Sequence, residues 1–445
     1  YDAATGTEYL RGSWPKPYTL MPFTEKASAS VVISGRYLYV TTGGFPGDLG
    51  HYQGHLVTID LNSGHVNVFN SLCSTLHALL RPMPGASNYC RDRHSAMWGR
   101  GEAAIDPLNK DVYVVTGNGR WNGTTDWGDS VLKVSPDGSR LLDSFTPENQ
   151  AFLDENDQDL GSTGPAMLPP VEVGGTTYHL AVQGGKGPAV PVISAPRALY
   201  LLNRDELSGQ PGPGHFGGQL QTINAPGKRK VLTAPVVWTD PQQHVWVFYA
   251  NQSDVTAYGL GTSGPSAPRL TVKWNIHRPN ANFTTPILSH GVLYSARNGA
   301  LISYDPTSGK ILWSSSGPGS GGTIGNLHWE YPTASGQMLF MTDETAHLYA
   351  YRQARAPSSG TAAPQPGAGS SLSSVNCTSS TNCWAVGYQT NAKTGALLNE
   401  ALQWNGSTWS AVSTPNPSGT ASGGVNWLHA VTCTSSENCW AVAVS

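Results

Sequence analysis

The stretch Tyr304-Asp305-Pro306-Thr307-Ser308-Gly309-Lys310-Ile311-Leu312-Trp313 reads as the end of one strand, a tight turn and the start of the next strand. Asp305 and Ser308 can hydrogen-bond the turn backbone, and Gly309 can adopt the positive φ that closes a hairpin. The same Asp-to-Gly offset recurs at Asp2–Gly6 and Asp60–Gly64. A recurring strand–turn–strand unit is typical of a repeat architecture.

Equivalent turns fall near residues 60, 135, 203, 258, 305 and 351, at an average spacing of about 58 residues. Units of four strands at this period are typical of β-propeller blades. The sixth unit lacks its outermost strand, and the segment from Asp2 to Trp14 is expected to supply it and close the ring. The sequence therefore predicts an all-β protein with a propeller of six blades, or seven.

A different repeat follows a segment rich in Pro, Ala, Gly and Ser at 355–372. The sequence of 375–386 returns at 431–442, and each copy contains Cys-x5-Cys-Trp-Ala-Val. A hairpin with an Asn-Gly turn separates the copies. We therefore predict a propeller over residues 1–354, a linker over 355–372 and a small, partial β-repeat domain over 373–445.

The repeated turn resembles that of the quinoprotein alcohol dehydrogenase-like β-propellers, also called PQQ-repeat propellers. Asp305, Gly309 and Trp313 match its pattern, and the segments 98–101, 159–165 and 328–330 look like parts of secreted bacterial members. The resemblance covers about residues 1–352. The C-terminal units resemble those of bacterial extracellular propeller-like arrays.

In the dehydrogenases of that family, PQQ lies over a tryptophan and under a ring formed by adjacent cysteines, with calcium held by Glu, Asn and Asp. The resemblance thus implies PQQ and calcium as cofactors under a dehydrogenase hypothesis. No two cysteines are adjacent in this sequence. The alternative is a propeller of the same fold without a quinone.

Composition limits the possible partners. The net charge is −3 and only 12% of the residues are charged, so there is no electrostatic drive toward nucleic acid or an anionic membrane. The basic run 228–230 follows Pro226-Gly227 and is predicted to be a solvated loop. No apolar run reaches the ~18 residues of a membrane span. Without a signal peptide or initiator Met, the chain is expected to be a mature form or a fragment.

The six cysteines form three close pairs. We predict disulfides between Cys73 and Cys90, Cys377 and Cys383, and Cys433 and Cys439. An even count and local pairing indicate an oxidising, extracellular or cell-surface location. Zinc is the alternative, although Cys-x5-Cys is not its usual spacing.

The densest acidic run, 154–159, offers Asp154, Asp157 and Asp159 as weak candidates for calcium ligands. The run lacks the glycine and terminal glutamate of a helix-loop-helix calcium site. A solvated loop is the alternative.

Two short clusters precede predicted innermost strands and are candidates to line the central channel and bind a ligand. They consist of His94, Trp98, Arg100 and Glu102 in the first, and of His328, Trp329 and Glu330 in the second. An Arg–Glu pair that neutralises itself is the alternative interpretation of the first cluster. Segment 184–187 lacks the pattern of a phosphate-binding loop.

Five asparagines lie in N-glycosylation sequons, which matter if the chain is secreted in a glycosylating host. They are Asn122, Asn251, Asn282, Asn376 and Asn405. No nucleophile elbow or catalytic triad spacing is recognisable, so no catalytic residue is predicted.

Together these features predict a secreted, non-catalytic propeller that acts as a binding or structural scaffold. Its partners would be extracellular proteins, glycans or other copies of itself, in a filament formed by strand exchange between copies. The alternative is a PQQ-dependent dehydrogenase.

Overall fold

The structure is a computed structural model. The residues it describes are 14–27, 29–81, 83–99, 103–264, 267–317, 322–328, 330–345, 347–352, 370–379, 381–436 and 438–444. The strand predicted from Asp2 to Trp14 and the predicted linker therefore lie largely outside the described residues. Almost every element is a β-strand, and the described helices are α1 (Gln150–Glu155) and two single 3-10 turns.

Seven antiparallel sheets follow one another along the chain. The first sheet contains β1 (Glu25–Ala27), β2 (Val32–Ser34), β3 (Tyr37–Gly44), β4 (His55–Asp60) and β5 (Val66–Asn70). The second contains β6 (Ala104–Ile105), β7 (Val112–Val115), β8 (Val131–Val134) and β9 (Leu141–Phe145). The third contains β10 (Ala166–Met167), β13 (Leu180–Pro188), β14 (Arg197–Asn203) and β15 (Gln221–Asn224), with β11 (Val171–Val173) and β12 (Thr176–Tyr178) forming a separate hairpin.

The remaining sheets repeat this order. The fourth contains β16 (Val236–Thr239), β17 (Val245–Ala250), β18 (Asp254–Gly261) and β19 (Arg269–His277). The fifth contains β20 (Ile287–Ser289), β21 (Val292–Arg297), β22 (Ala300–Tyr304) and β23 (Ile311–Ser314). The sixth contains β24 (Thr333–Ser335), β25 (Met338–Thr342) and β26 (Leu348–Arg352). The seventh contains β27 (Ser370–Ser379), β28 (Asn382–Thr390), β29 (Leu397–Trp404) and β30 (Trp409–Val412).

A last sheet has two strands, β31 (Trp427–Ser435) and β32 (Asn438–Val444). It packs on the seventh sheet through Leu428 and Val431 and on the first sheet through Ala430 and Val442. This two-stranded sheet therefore closes the ring between the seventh blade and the first.

The core lies between neighbouring sheets, because the large apolar clusters each take their residues from two consecutive sheets of the ring. Tyr39 and Leu56 of the first blade, for example, pack with Val114 and Leu132 of the second. Burying both faces of each sheet in this way removes most of the apolar surface from water. The chain is thus an all-β, seven-bladed β-propeller, as predicted under the higher of the two blade counts.

The C-terminal region differs from the predicted separate domain. Residues 370–412 form the seventh blade and share a core with the sixth, where the Phe340 ring lies 6.0 Å from Trp404 and 5.7 Å from Trp409. One isolated repeat cannot bury its apolar faces. The ring supplies a neighbour on each side, so the second type of repeat folds as part of the propeller.

The turn at 305–309 has the predicted geometry. The Asp305 carboxylate accepts the backbone N–H groups of Thr307 and Ser308 at 3.0 and 2.9 Å, and Gly309 has a φ of 73°. The ring that covers this turn comes from the preceding blade, since Trp274 Nε1 donates to the Pro306 carbonyl at 2.9 Å. A Cβ at position 309 would lie 2.9 Å from the Trp274 ring, so glycine is required for two reasons.

All three predicted disulfides are confirmed, joining Cys73 to Cys90, Cys377 to Cys383 and Cys433 to Cys439. They indicate an oxidising, non-cytoplasmic location. Among the described residues, no helix has the length and hydrophobicity needed to cross a membrane.

Candidate functional site

The connections that follow β3, β5, β7, β9 and β13 leave the first three blades on the same side, because successive strands are antiparallel. These connections span residues 45–54, 71–103, 116–130, 146–165 and 189–196. They are much longer than the matching connection of the fifth blade, residues 298–299. We call this side the long-loop face. Long connections on a rigid scaffold are the usual place for binding residues.

Lys186 and Asp159 lie at the centre of the long-loop face. The Lys186 ammonium forms an ion pair with the Asp159 carboxylate and another with Asp157 Oδ1 at 3.0 Å. Asp159 also accepts the backbone N–H of Asn118 at 2.8 Å. Two blades therefore contribute to one polar network, because the loop before the third blade and strand β13 meet the loop of the second.

Aromatic rings from the first blade and the loop after it flank this network. The Tyr52 ring lies 5.3 Å from His94 and 6.2 Å from Trp98. A Cβ at Gly117 would lie 2.6 Å from Asp159 Oδ1 and 3.3 Å from Trp98 Nε1. The absence of a side chain at Gly117 thus lets the indole approach the carboxylate.

We call the whole group the acid–aromatic cluster. It comprises Tyr52, His94, Trp98, Asn118, Asp154, Asp157, Asp159 and Lys186. Asp154 belongs to it because its carboxylate interacts electrostatically with His94 and Asp159. The cluster combines ring faces, carboxylates, an amide and one ammonium group.

Asp129 lies buried next to the cluster. One carboxyl oxygen accepts the Leu160 backbone N–H at 3.0 Å, whereas Oδ2 has no hydrogen-bond partner among the described residues. Burial, followed by the nearby Asp159 carboxylate, raises the pKa of Asp129 well above its usual value. Asp129 therefore keeps its proton to a higher pH than an ordinary aspartate, next to a candidate functional site.

Burial also raises the pKa of Asp159, against the opposing effect of the Lys186 ammonium. For Lys186, burial acts to lower the pKa, but the Asp159 and Asp157 carboxylates outweigh it and the net shift is upward. The ammonium is therefore held in its charged form. Perturbed groups concentrated at one position are a common property of binding and catalytic sites.

Backbone strain is concentrated here as well. His94, Ser95, Asp129 and Asp157 have φ values of 79°, 54°, 50° and 52°, in a region that residues other than glycine seldom adopt. Such conformations cost on the order of 1–3 kcal/mol each and persist where the surroundings enforce them. The strain therefore marks the cluster as a constrained site.

The structure unites two predicted sets of residues. His94 and Trp98, proposed as channel residues, lie in the same cluster as Asp154, Asp157 and Asp159, proposed as calcium ligands. The Lys186 ammonium lies between Asp157 and Asp159, where it supplies the positive charge that calcium would bring. The predicted Arg100, Glu102 and Trp329 lie outside the described residues.

His328 and Glu330 belong to a different environment, before the sixth blade. The Glu330 carboxylate accepts the His328 backbone N–H at 2.7 Å, and His328 Nδ1 lies 3.7 Å from Glu344 Oε1. His328 thus contacts the carboxylates of Glu330 and Glu344 near the connection that follows β25. These two residues do not extend the acid–aromatic cluster.

Sequence analysis missed Tyr52, Asn118, Asp129 and Lys186. They lie far apart along the chain and belong to no common motif. Lys186 was considered only within 184–187 as part of a phosphate-binding loop. The one available signal was a lysine in a buried strand, which requires a nearby carboxylate.

The predicted disulfide Cys73–Cys90 adjoins another acidic pair. Among the described residues, a sulfur of Cys73 and the carboxylates of Asp92 and Asp126 form the one group close enough to share an ion. The sulfur is bonded to Cys90, and Arg120 contacts both carboxylates at 3.3 and 3.6 Å. This group is an ion-pair network and offers no thiolate ligand.

The sequons differ in accessibility. Asn251 is buried, and the side chains of Asn122 and Asn376 hydrogen-bond neighbouring groups. Asn282 and Asn405 are exposed. Of the five sequons, only Asn282 and Asn405 have a side-chain amide to which a glycan could be attached without disturbing a packed contact.

The central channel is crossed by a side chain. The Tyr331 hydroxyl lies 3.0 Å from Ser30 Oγ, and these residues precede the innermost strands β24 of the sixth blade and β2 of the first. A small depression of about 20 Å³ lies near the channel, between the first three blades, and is lined in part by Ala29, Gly99 and Thr163. The channel is therefore narrow where the described residues line it.

No protein-family model and no curated protein sequence matches this chain. Solved structures are similar to it in fold. BamB from Moraxella catarrhalis is 12% identical, with a TM-score of 0.43, over 80% of this chain and 79% of that one. The WD40 domain of SCAP from fission yeast is 9% identical, with a TM-score of 0.45, over 89% and 91%. The computationally designed Ika8 protein is 10% identical, with a TM-score of 0.46, over 93% and 96%. At such identities the similarity concerns the propeller fold alone.

Proposed function

We propose that the protein is a secreted, non-catalytic binding module that holds a neutral glycan on its long-loop face. The observation that carries this proposal is the meeting of loops from three blades in the acid–aromatic cluster. A propeller provides a rigid frame, so the geometry of such a cluster is set before a ligand arrives. Three disulfides are in keeping with an extracellular or cell-surface location.

The polar groups of the cluster suit a ligand with many hydroxyl groups. The Asp157 side chain is 65% exposed. Its carboxylate can accept hydrogen bonds from ligand hydroxyl groups, and hydrogen bonds to a carboxylate are stronger than neutral ones. The Lys186 ammonium can donate in return.

The aromatic groups suit the apolar faces of sugar rings. Trp98 is partly exposed, and none of the described residues accepts a hydrogen bond from its indole N–H. A flat ring with a polar edge provides apolar contact together with one donor. The excess of carboxylates over ammonium groups would repel anionic polysaccharides, so the proposal specifies neutral ones.

Affinity electrophoresis tests this proposal with gels that contain laminarin, mannan, xylan or heparin. We expect at least one neutral polysaccharide to retard the protein and heparin to have no effect. Trp98→Ala and Asp157→Asn should abolish the retardation. Asp205→Asn is the matched control, because Asp205 has a similarly exposed carboxylate, 54%, away from the long-loop face.

Two results would contradict the proposal: no retardation by any neutral polysaccharide, or equal retardation of the wild type and both cluster variants. Circular dichroism and thermal melting establish that each variant remains folded. Retardation by heparin alone would also count against a neutral ligand.

The quinone-dependent dehydrogenase hypothesis has less support. A cofactor on the channel axis would compete for space with the Tyr331 side chain, which reaches Ser30 across the channel. Reduction of an electron-acceptor dye by the purified protein, supplied with PQQ, calcium and an alcohol, would replace our proposal with this one.

A filament of copies has one specific observation in its favour. The sheet of β31 and β32 has two strands, whereas the homologous seventh blade has four, and no other strand of the described residues pairs with the second edge of β32. An open edge can accept a strand from another copy. Light scattering over a range of concentrations tests this, and a monomer at every concentration would dismiss it.

A further inference from the structure

Lys26 lies at the junction of the first blade and the two-stranded sheet, next to a row of aromatic side chains. Its ammonium is 5.6 Å from the centroid of the Phe45 ring. Phe45 meets Trp427 edge-on at 6.1 Å, Trp427 stacks on His429 at 4.3 Å, and Tyr388 contacts Trp427 at 5.0 Å. All five side chains are partly exposed, so solvent and solutes can reach this junction.

The Lys26 ammonium has no acidic partner in the part of the chain that the structure describes. Among the described residues, no carboxylate forms an ion pair with it and no acceptor forms a hydrogen bond with it, and burial alone lowers the pKa of Lys26. Removing an unpaired charge from water is costly. The Phe45 ring offsets part of this cost through a cation–π interaction, but that contact leaves the N–H groups free.

His429 shares this property. No described residue hydrogen-bonds its ring, and burial together with the Lys26 ammonium lowers the pKa of His429 to about 3. The imidazole is therefore neutral near pH 7, with one N–H donor. Lys26 is close enough to His429 to act on it electrostatically. An ammonium and an imidazole N–H so placed, without acceptors among the described residues, can hold one anion.

We propose that this junction binds a small organic carboxylate with a flat apolar body. The carboxylate accepts hydrogen bonds from the Lys26 ammonium and the His429 N–H, and the apolar body packs on Phe45 and Trp427. A single cation matches one negative charge, which favours a carboxylate over a phosphate dianion. The aromatic walls favour an organic acid over an inorganic ion. This site is separate from the glycan site proposed above.

The test compares 4-fluorobenzoate with its neutral analogue 4-fluorobenzamide, by ¹⁹F NMR titration of the full chain and by quenching of tryptophan fluorescence. We expect the wild type to bind the carboxylate at least about tenfold more tightly than the amide, since charge-assisted hydrogen bonds are worth a factor of this order. Lys26→Met should remove that preference. Lys393→Met, at an exposed lysine of the seventh blade, should keep it.

His429→Asn provides a second variant in case Lys26→Met does not fold, and it should weaken the preference several-fold. Four results would overturn the proposal. The first three are equal binding of carboxylate and amide by the wild type, an unchanged preference in both site variants, and no binding of the carboxylate at millimolar concentration. Binding that Lys393→Met removes would place the site elsewhere and would also overturn it.

Discussion

The hydroxyl of Tyr331 lies 3.0 Å from Ser30 Oγ, although the two residues belong to the sixth and first blades. The seventh blade and the two-stranded sheet lie between them along the ring. The hydrogen bond therefore crosses the channel and ties together two parts of the ring that are not neighbours. Closure of the propeller thus depends on a polar contact at the axis as well as on apolar packing between blades.

A double-mutant cycle measures this contact. Ser30→Ala and Tyr331→Phe each remove one hydroxyl, and we expect each to lower the free energy of unfolding by about 1 kcal/mol. The double variant should lose less than the sum, with a coupling energy of about 0.5–1 kcal/mol. Urea titrations give these values. Strictly additive effects would show that the bond does not contribute to stability.

Loss of Lys186 should be much more damaging. Lys186→Met leaves the buried Asp159 carboxylate without its ammonium partner, and breaking a buried pair from one side costs about 3–5 kcal/mol. The double variant Lys186→Met with Asp159→Asn removes the uncompensated charge and should recover much of this loss. Chemical denaturation of the three proteins checks the order. A single variant as stable as the wild type would mean that the ion pair is incidental.

The fold could be inferred from the sequence because its signal is local. The turn at 305–309 needs only an acceptor at Asp305 and a glycine at 309, and the same pair recurs at Asp60 and Gly64. The sequence predicts a separate domain for the seventh blade because its Cys-x5-Cys-Trp pattern differs from the turn pattern of the other blades. The seventh blade packs against the sixth because the Phe340 ring contacts both Trp404 and Trp409. This fit depends on side-chain shape, which the sequence pattern does not show.

Part of the candidate site could be predicted from the sequence. His94 and Asp159 can be predicted as site candidates because each lies in a short cluster of polar or charged residues along the sequence. Their meeting could not be inferred, because it depends on how the long loops of three blades fold over one another. Lys186 belongs to the site because strand β13 places its ammonium beside the Asp159 carboxylate, and the sequence alone does not show this contact.

Asp129 should make stability pH-dependent in a direction opposite to that of most carboxylates. Its folded-state pKa lies above the unfolded value, so the folded protein binds more protons between the two. The associated stability is complete below the unfolded pKa, near 4, and is lost as the pH rises through the folded value. Its loss amounts to at most about 1.4 kcal/mol per pH unit.

Asp129→Asn removes this titration. We expect the free energy of unfolding of the variant, relative to the wild type, to increase as the pH is raised from 4 to 8. Asp205→Asn, at an exposed carboxylate, serves as the control. Parallel pH profiles for Asp129→Asn and the wild type would contradict the assignment of a raised pKa.

The disulfides should differ in their effect according to loop length. Cys73 and Cys90 are 17 residues apart, whereas Cys433 and Cys439 are 6 apart. On the loop-entropy account, replacing both cysteines by alanine costs about 3 kcal/mol for the longer loop and about 2 kcal/mol for the shorter. Thermal melting of the two double variants measures the order, and the reverse order would point to structure retained in the unfolded chain.

Asn251 and Asn405 provide a direct test of which sequons the fold can accommodate. The buried Asn251 side chain accepts the N–H groups of Ser253 and Asp254 at 2.8 Å each and donates to the Pro226 carbonyl at 3.0 Å. A glycan on its Nδ2 would crowd the bond to the Pro226 carbonyl, and the buried position leaves no room for a sugar. Asn405 is exposed at a hairpin turn, where its Oδ1 accepts two backbone N–H groups and leaves the amide nitrogen toward solvent.

Secretion from a glycosylating host should therefore give folded protein with glycan on Asn405 and none on Asn251, as mass spectrometry of glycosidase-treated peptides would record. Asn251→Gln should cost about 2 kcal/mol or more, because buried donors lose their acceptor. Asn405→Gln should cost less than about 1 kcal/mol and remove one glycan. Folded protein with an occupied Asn251 would refute the buried placement of that side chain.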